Sequence, residues 1–216
     1  MTASVLEVRD LRFAYRRGAE ELFDGLSHAF SAGAVTAVTG PSGRGKSTLL
    51  YVLGLLLTPS SGEVLLDGEA VSDAADGVRA SVSARRVGFV FQDSELDPTR
   101  RVIESVLEPA LYAGHAREER LDRALALLDR FGLGRRADHK PGQVSGGQAQ
   151  RLAVCRALLM EPDIVLADEP TGNLDRGNAE LVLEALVGTA HTEGSTVVIA
   201  THDPFVLEHV DEVVAL

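Results

Sequence analysis

The chain has 216 residues, 45% of them hydrophobic and 25% charged, an ordinary composition for one soluble globular domain with a full core. Its net charge of −11 argues against a general nucleic-acid-binding surface, and its single cysteine, Cys155, excludes an internal disulfide and fits a reducing compartment. The longest apolar run, Leu49 to Leu57, is well short of the ~20 residues that span a bilayer, and Glu7, Arg9 and Asp10 put charge where a secretion signal needs an apolar stretch. The expectation is a soluble intracellular protein that reaches a membrane only through a partner.

Leu6 to Tyr15 alternates as two short strands with a break near Asp10, Arg16 to Ala19 forms a turn around Gly18, and Leu22 to Phe30 is another strand. Together these predict an antiparallel β layer. Tyr15 has two readings, a residue packed in that layer or a ring that stacks on a purine. Next, Ala34 to Thr39 (AVTAVT) predicts a buried strand and the Leu-rich run Ser47 to Leu57 a buried helix. Between them Gly40, Pro41, Ser42, Gly43, Arg44, Gly45, Lys46, Ser47 and Thr48 spell GPSGRGKST, which fits the P-loop pattern G-x-x-x-x-G-K-[ST]. Strand, glycine turn and helix aim backbone N–H groups at one point, where the helix start adds partial positive charge. Lys46 brings a full charge to the β- and γ-phosphates, and the Ser47 hydroxyl is a hard ligand suited to Mg²⁺.

Thr58 to Gly62 is a loop, and Glu63 to Leu66, Asp67-Gly68 and Glu69 to Val71 predict a hairpin. Val87 to Phe91 (VGFVF) is a buried strand ending at Gln92, which reads either as a solvated amide or as a neutral oxygen ligand to a metal. From Asp93 to Gln143 strand signals vanish. Leu121, Ala124, Leu125, Leu128 and Phe131 fall at helical spacing, so 93–144 is expected to be a helical insertion, its exposed part a docking place for a partner. Ser145, Gly146, Gly147 and Gln148 open a further helix running to Met160, with Ser145 as N-cap. This start reads as a second anion-binding helix terminus or as an ordinary capped helix. Ile164 to Ala167 is a buried strand ending in Asp168 and Glu169. At the carboxyl edge of a sheet, Asp168 suits the outer shell of Mg²⁺ and Glu169 a base that polarises water. Thr171 to Asp175 is a loop, Ala179 to Leu186 an amphipathic helix, Thr196 to Ala200 a buried strand followed by His202, and Glu212 to Leu216 a last strand. The fold class is α/β, a mainly parallel sheet flanked by helices, within one domain over 1–216.

A P-loop, a Gln after a strand, VSGGQ, a carboxylate pair, NLD and a strand-end His, in that order from Tyr15 to His202, resemble the ATP-binding cassette (ABC) family of transporter ATPases. The resemblance implies a P-loop NTPase core with an N-terminal antiparallel layer and an inserted helical subdomain. It matches Gly40 to Thr48 with Walker A, Asp168 and Glu169 with the end of Walker B, and Tyr15 with the aromatic loop that stacks on adenine. Gln92 matches the Q-loop residue that reaches Mg²⁺ and couples to the permease. Ser145 to Gln148 match the family's signature, Asn173 to Asp175 the D-loop, and His202 the switch histidine. It also implies Mg-ATP hydrolysis by a head-to-tail dimer, most simply a homodimer, in which the signature of one copy covers the ATP held by the other. Glu169 would activate water, His202 would contact the γ-phosphate, and Lys46, Mg²⁺ and the two helix starts would hold the developing charge.

EPTGNLD, the VGFVFQ strand and the short length look like the lipoprotein-release and macrolide-export group, so the expected partner is a transmembrane permease, with the cassette on the inner face of the plasma membrane. The same cassette also suits regulation of a membrane-linked cell-wall hydrolase or sensor kinase. Departures from the family pattern are small: Val144 for Leu, Arg44 for a small residue, and Ala149 and Cys155 for Gln and Ala. Arg44 either adds a phosphate contact or points to solvent.

Overall fold

Burial along the first strand changes phase half-way. Leu6 and Val8 point inward at even positions, Leu11 and Phe13 at odd ones, and between them Asp10 has φ 46°. A computed structural model, which describes residues 4–16, 20–41, 43–94 and 96–216, shows this as one strand, β1 (Ser4–Phe13), with a bulge at Asp10. The two strands expected there are therefore continuous. An extra residue in a bulge shifts the pleat by one position, so the inward face resumes on the odd residues. Gly62 permits the bulge: a Cβ there would lie 2.4 Å from the Asp10 carbonyl oxygen. The turn expected around Gly18, and Ser42 of the P-loop, lie outside the described residues.

Strand β1 is flanked by β2 (Leu22–Ser31) and β4 (Ser61–Leu66), and β5 (Glu69–Ala70) closes the antiparallel sheet in the order β2-β1-β4-β5. The β4–β5 turn is the expected Asp67-Gly68 pair, at φ 52° and 82°, the left-handed values a two-residue hairpin turn of this kind requires. The second sheet is wholly parallel. It comprises β3 (Val35–Thr39), β6 (Val87–Val90), β7 (Ile164–Asp168), β8 (Thr196–Ala200) and β9 (Glu212–Ala215), ordered β6-β7-β8-β3-β9. Residues of β7 and β8 are buried throughout, as strands covered on both faces must be.

Helix α1 (Lys46–Leu53) leaves β3 and packs between the sheets. It ends sooner than the expected Leu57, because Gly54 caps it and Leu55 adopts φ 62°. After it come α2 (Asp76–Arg86), then α3 (Val102–Tyr112) and α4 (Arg117–Arg130) of the helical subdomain. On α4 the buried stripe is Ala124, Leu127 and Leu128, continued by Phe131; Leu125, expected inward, is 39% exposed on the flank. Helix α5 (Gly146–Leu158) is the link between subdomain and sheet, touching α3, α4 and β6. Gly88 lets it lie against β6, since a Cβ there would sit 2.3 Å from the Ala157 carbonyl oxygen. Cys155 is buried on α5, and burial pushes its thiol up to about 12, so it behaves as a small apolar residue. Helices α6 (Arg176–Glu193) and α7 (Pro204–Leu207) complete the chain. Among the described residues no helix is long and apolar enough to cross a membrane.

Candidate active site

The site forms where parallel pairing brings three strand ends to one edge. In β7–β8 the pairing sets Asp168 beside Ala200, and in β3–β8 it sets Val38 beside Ala200. The residues that follow these ends, 40–48, 169 and 201–202, are therefore neighbours although they come from remote parts of the chain. This is the carboxyl edge at which open α/β sheets bind ligands.

From β3 the chain turns through Gly40, Gly43 and Gly45 at φ 146°, 82° and 91° into the first turn of α1. Gly45 has to be a glycine for a second reason: a Cβ there would press on Leu22 and Phe23 at 3.0 and 3.1 Å. Around Gly43 nothing lies within 4 Å of where a Cβ would be, so that stretch of backbone is open to approach. As N-cap of α1, Gly45 provides no side-chain hydrogen bond to the helix start. Lys46 folds back, its Nζ donating to the carbonyls of Gly40 (2.9 Å) and Pro41 (3.4 Å). An open cleft of about 450 Å³ is lined by Tyr15, Glu20, Leu22, Gly43 and Gly45 to Thr48. Tyr15 thus shares the cleft with the glycine turn and the start of α1. Arg44 is exposed and lines the adjoining cavity with Glu20, Glu21 and Asp24.

At the end of β7, Asp168 is 3% exposed. Burial pushes its carboxyl above the ordinary range and Glu169 adds to this, while a hydrogen bond from Ser47 and the charge of Lys46 oppose. Glu169 sits in the left-handed region at φ 44°, its N–H donating to Ala200 O at 2.9 Å. That turn aims its carboxylate at the end of β8. There Oε2 accepts from the Thr201 hydroxyl (3.1 Å), and Oε1 lies 2.7 Å from His202 Nδ1, within hydrogen-bond distance. The His202 ring is mostly exposed, so its Nε2 faces outward from a carboxylate-anchored imidazole. Thr201, fully buried, is a residue that motif reading missed; its adjacency to His202 was the available signal.

The other expected site residues lie apart from the cleft. Gln92 is exposed in the turn after β6. Ser145 and Gly146 are exposed at the start of α5, where Ser145 Oγ accepts from Gln148 N (3.3 Å) and Gln148 Oε1 accepts from Ser145 N (3.0 Å). Asp175 is the N-cap of α6, accepting from Asn178 N at 3.0 Å. The structure joins two of these elements, because a Cβ on Gly147 would touch Leu174 Cδ2 at 3.3 Å. It also ties α5 to the segment after Gln92: Ser94 Oγ donates to Gln150 Oε1 (3.0 Å) and Arg156 donates to Ser94 O (2.9 Å). Gln150 stands in line with the buried Ala153 and Ala157, and a polar residue on an apolar stripe was the signal for it.

Comparison with known proteins agrees with this geometry. The family model described as ABC transporter matches residues 23–172. The chain belongs to the ABC transporter family. It is therefore an ATP-binding, ATP-hydrolysing cassette. The cassette is 40% identical over 218 residues to the lipoprotein-releasing system ATP-binding protein LolD 1 of Rhodospirillum rubrum, covering 100% of this chain and 96% of that one. It is 46% identical over 210 residues to an ABC transporter ATP-binding protein of Thermotoga maritima, covering 96% and 88%. With the macrolide export ATP-binding/permease protein MacB of Brucella abortus it shares 43% identity over 99% of this chain but only 33% of that protein. Among solved structures, a dimeric ATP-binding cassette in a post-hydrolysis state with ADP and Pi superposes with a TM-score of 0.90 at 35% identity, covering 98% of this chain and 94% of that one.

Proposed function

We propose that the cassette is the ATPase subunit of a membrane transporter of the export or extraction type, and that two copies close head to tail over ATP to drive a permease partner. The observation that carries this reading is the presence of two glycine-rich helix starts in one chain. One, at α1, lies in the cleft with Tyr15; the other, at α5, is exposed and outside it. A second copy supplies the missing neighbour for the exposed start. The dimeric neighbour at TM-score 0.90 supports that assembly, and LolD and MacB support a lipoprotein-release or macrolide-export type of system on the cytoplasmic face of the membrane. The partner is assigned to the cleft of about 690 Å³ between Leu55, Leu56, Arg79, Ser83 and Tyr112, where Leu56 and Tyr112 expose apolar surface. The chain is read as one domain over 1–216, with 93–144 as the inserted helical part.

In this reading Lys46 exchanges the Gly40 and Pro41 carbonyls for the β- and γ-phosphates. The backbone at Gly43 and from Gly45 to Thr48 wraps them, and Tyr15 stacks on the base. Glu169, steadied by Thr201, takes the proton of the attacking water, and His202 donates a ring N–H to the γ-phosphate. Ser145 to Gln148 and Asp175 of the second copy cover the same ATP. Mg²⁺ would be held by Ser47 and Asp168, since a buried carboxylate whose burial disfavours its charge is satisfied by a cation, and Gln92 would have to reach it from the turn after β6. Among the described residues no group of three or more His, Cys, Asp or Glu forms a cage, as suits an ion held largely by substrate phosphates. When bound with ATP it neutralises charge developing on the transferred phosphoryl group.

The test is Glu169→Gln. Hydrolysis is expected to fall by roughly 10²–10⁴-fold, the usual contribution of a positioned base. ATP should still bind, and light scattering should show a dimer that appears only with ATP. Capture of the closed variant from native membranes is expected to bring down a polytopic permease. A strictly monomeric protein with undiminished turnover would overturn the reading, and recovery of a cell-wall hydrolase regulator or sensor kinase would replace transport with regulation.

A further inference from the structure

We propose that Thr48 is a positioning residue for the base platform: its hydroxyl latches the Tyr15 hydroxyl and so sets the separation between the stacking ring and the phosphate cradle. This rests on the reading of Tyr15 as the surface against which the base stacks. Tyr15 OH and Thr48 Oγ1 are 2.7 Å apart, and Thr48 is buried in the first turn of α1, two residues beyond Lys46 and one beyond Ser47. The ring is held at a second point. It packs in a T-shaped contact with Phe13, itself buried at the end of β1, with centroids 4.9 Å apart and planes at 88°. Pinned at its tip and against Phe13, the ring is still 65% exposed. Its exposed surface borders the cleft that Gly43, Gly45, Lys46 and Ser47 line from the phosphate side.

The two pins differ in what they fix. Contact with Phe13 ties the ring to the antiparallel sheet, which belongs to the base side of the cleft. The bond to Thr48 crosses to the helix that carries the phosphate ligands. A triphosphate seated on the start of α1 therefore finds the platform at one distance, instead of having to select it from a swinging ring. Without the phenol hydroxyl the ring can spread over three staggered χ1 wells, of which about one third of the population is the competent one. Apparent nucleotide affinity then falls by the same fraction, roughly threefold. Inorganic tripolyphosphate has no base to stack, so its binding does not depend on the latch.

The experiment measures ATP and Mg-tripolyphosphate binding by calorimetry, with steady-state hydrolysis, for the wild type, Tyr15→Phe, Tyr15→Ala, Thr48→Ser and the double variant Tyr15→Phe/Thr48→Val. Tyr15→Phe is expected to raise Kd and KM for ATP about threefold, with a larger loss in ATP binding than in tripolyphosphate binding and an unchanged melting temperature. Thr48→Ser, which keeps the hydroxyl, should match the wild type in ATP binding. The double variant should lose no more of its preference for ATP over tripolyphosphate than Tyr15→Phe alone. Wild-type ATP affinity in Tyr15→Phe, alongside a clear loss in Tyr15→Ala, would overturn the latch and leave the platform standing. Wild-type affinity in Tyr15→Ala would overturn both. Equal weakening of ATP and tripolyphosphate in Tyr15→Phe would place the hydroxyl on the cradle instead and overturn the proposal.

Discussion

The starts of α1 and α5 are both glycine-rich and are capped differently. At α1 the N-cap is a glycine at φ 91° with no side-chain cap, and the first helical bond is from Leu49 N to Gly45 O, so the N–H groups of Lys46, Ser47 and Thr48 are not taken up by a capping side chain. At α5 the helix begins with a closed capping box, Ser145 and Gln148 each satisfying the other's backbone N–H. Here only the N–H groups of Gly146 and Gly147 remain outside that exchange. A helix that leaves three donors for a ligand is an anion site in its own right; one that has capped itself adds two donors and a hydroxyl to an anion already held elsewhere. The difference explains how two phosphate-type motifs in one chain need not mean two nucleotides.

The comparison breaks most visibly at Lys46. Replacing it with alanine removes the only side-chain cation lining the cleft, among the described residues, and with it charge-assisted bonds to phosphate. Binding of ATP, followed by calorimetry, is expected to weaken roughly 100-fold, the equivalent of about 2.7 kcal/mol. A change below about threefold would mean that the α1 start is not where the triphosphate sits. Ser145→Ala is the matched change at α5. It should leave ATP binding by the single chain within about twofold of the wild type, while the lost cap costs about 1 kcal/mol and lowers the melting temperature by about 3 °C. In the Glu169→Gln background it should also raise the ATP concentration needed for dimer formation by about twelvefold, the weight of one hydrogen bond to a charged group at the low end of its range. If Ser145→Ala weakened ATP binding to the single chain as much as Lys46→Ala does, the two starts would be equivalent and the division of roles would fall.

This asymmetry was only half legible in the sequence, where Ser145 read as an N-cap but the return bond from Gln148 that closes the capping box did not. The candidate site at the sheet's carboxyl edge was legible because each piece is a short pattern with its own local geometry: the P-loop glycines, the carboxylate pair after a buried strand, the histidine after another. Helix α2 was missed because no residue in it is buried, so its sequence, DGVRASVSARR, carries no apolar period. Helix α6 was seen from Ala179, three residues beyond its start, because Arg176, Gly177 and Asn178 hide a beginning that the Asp175 cap makes plain in three dimensions. The β1 bulge was read as a strand break because a phase shift and a gap look alike in one dimension. What stayed out of reach were pairings between remote residues. Thr201 with Glu169 and Ser94 with Gln150 each depend on which strand lies beside which, and that follows only once the β7–β8 and β6–β7 registers are fixed.

The smallest expected effect sharpens the cradle side of the comparison. Asp168 is buried beside Ser47, and burial holds its carboxyl above the ordinary carboxylate range. A folded-state pKa raised in this way means that the folded protein binds the proton more tightly than the unfolded chain does. The associated stability is fully present below the ordinary carboxylate range and is lost as pH rises through the raised value. At neutral pH the nucleotide-free, Mg²⁺-free cassette therefore carries a buried charge at a cost, in the same place where a cation would offset it. Asparagine keeps the shape and can still accept from Ser47, but it does not titrate. Asp168→Asn is thus expected to melt about 2 °C higher than the wild type at pH 7.5 without Mg²⁺, a response of this size corresponding to under 1 kcal/mol in a domain of this length. That gain should shrink as pH is lowered into the raised range of the Asp168 carboxyl, where the wild type takes up its proton. It should also vanish on adding Mg²⁺ with ATP, which then stabilises only the wild type through this group. A variant that melts lower than the wild type at pH 7.5 would mean that the Ser47 bond and the Lys46 charge outweigh burial, and that the cradle is electrostatically satisfied before any phosphate arrives.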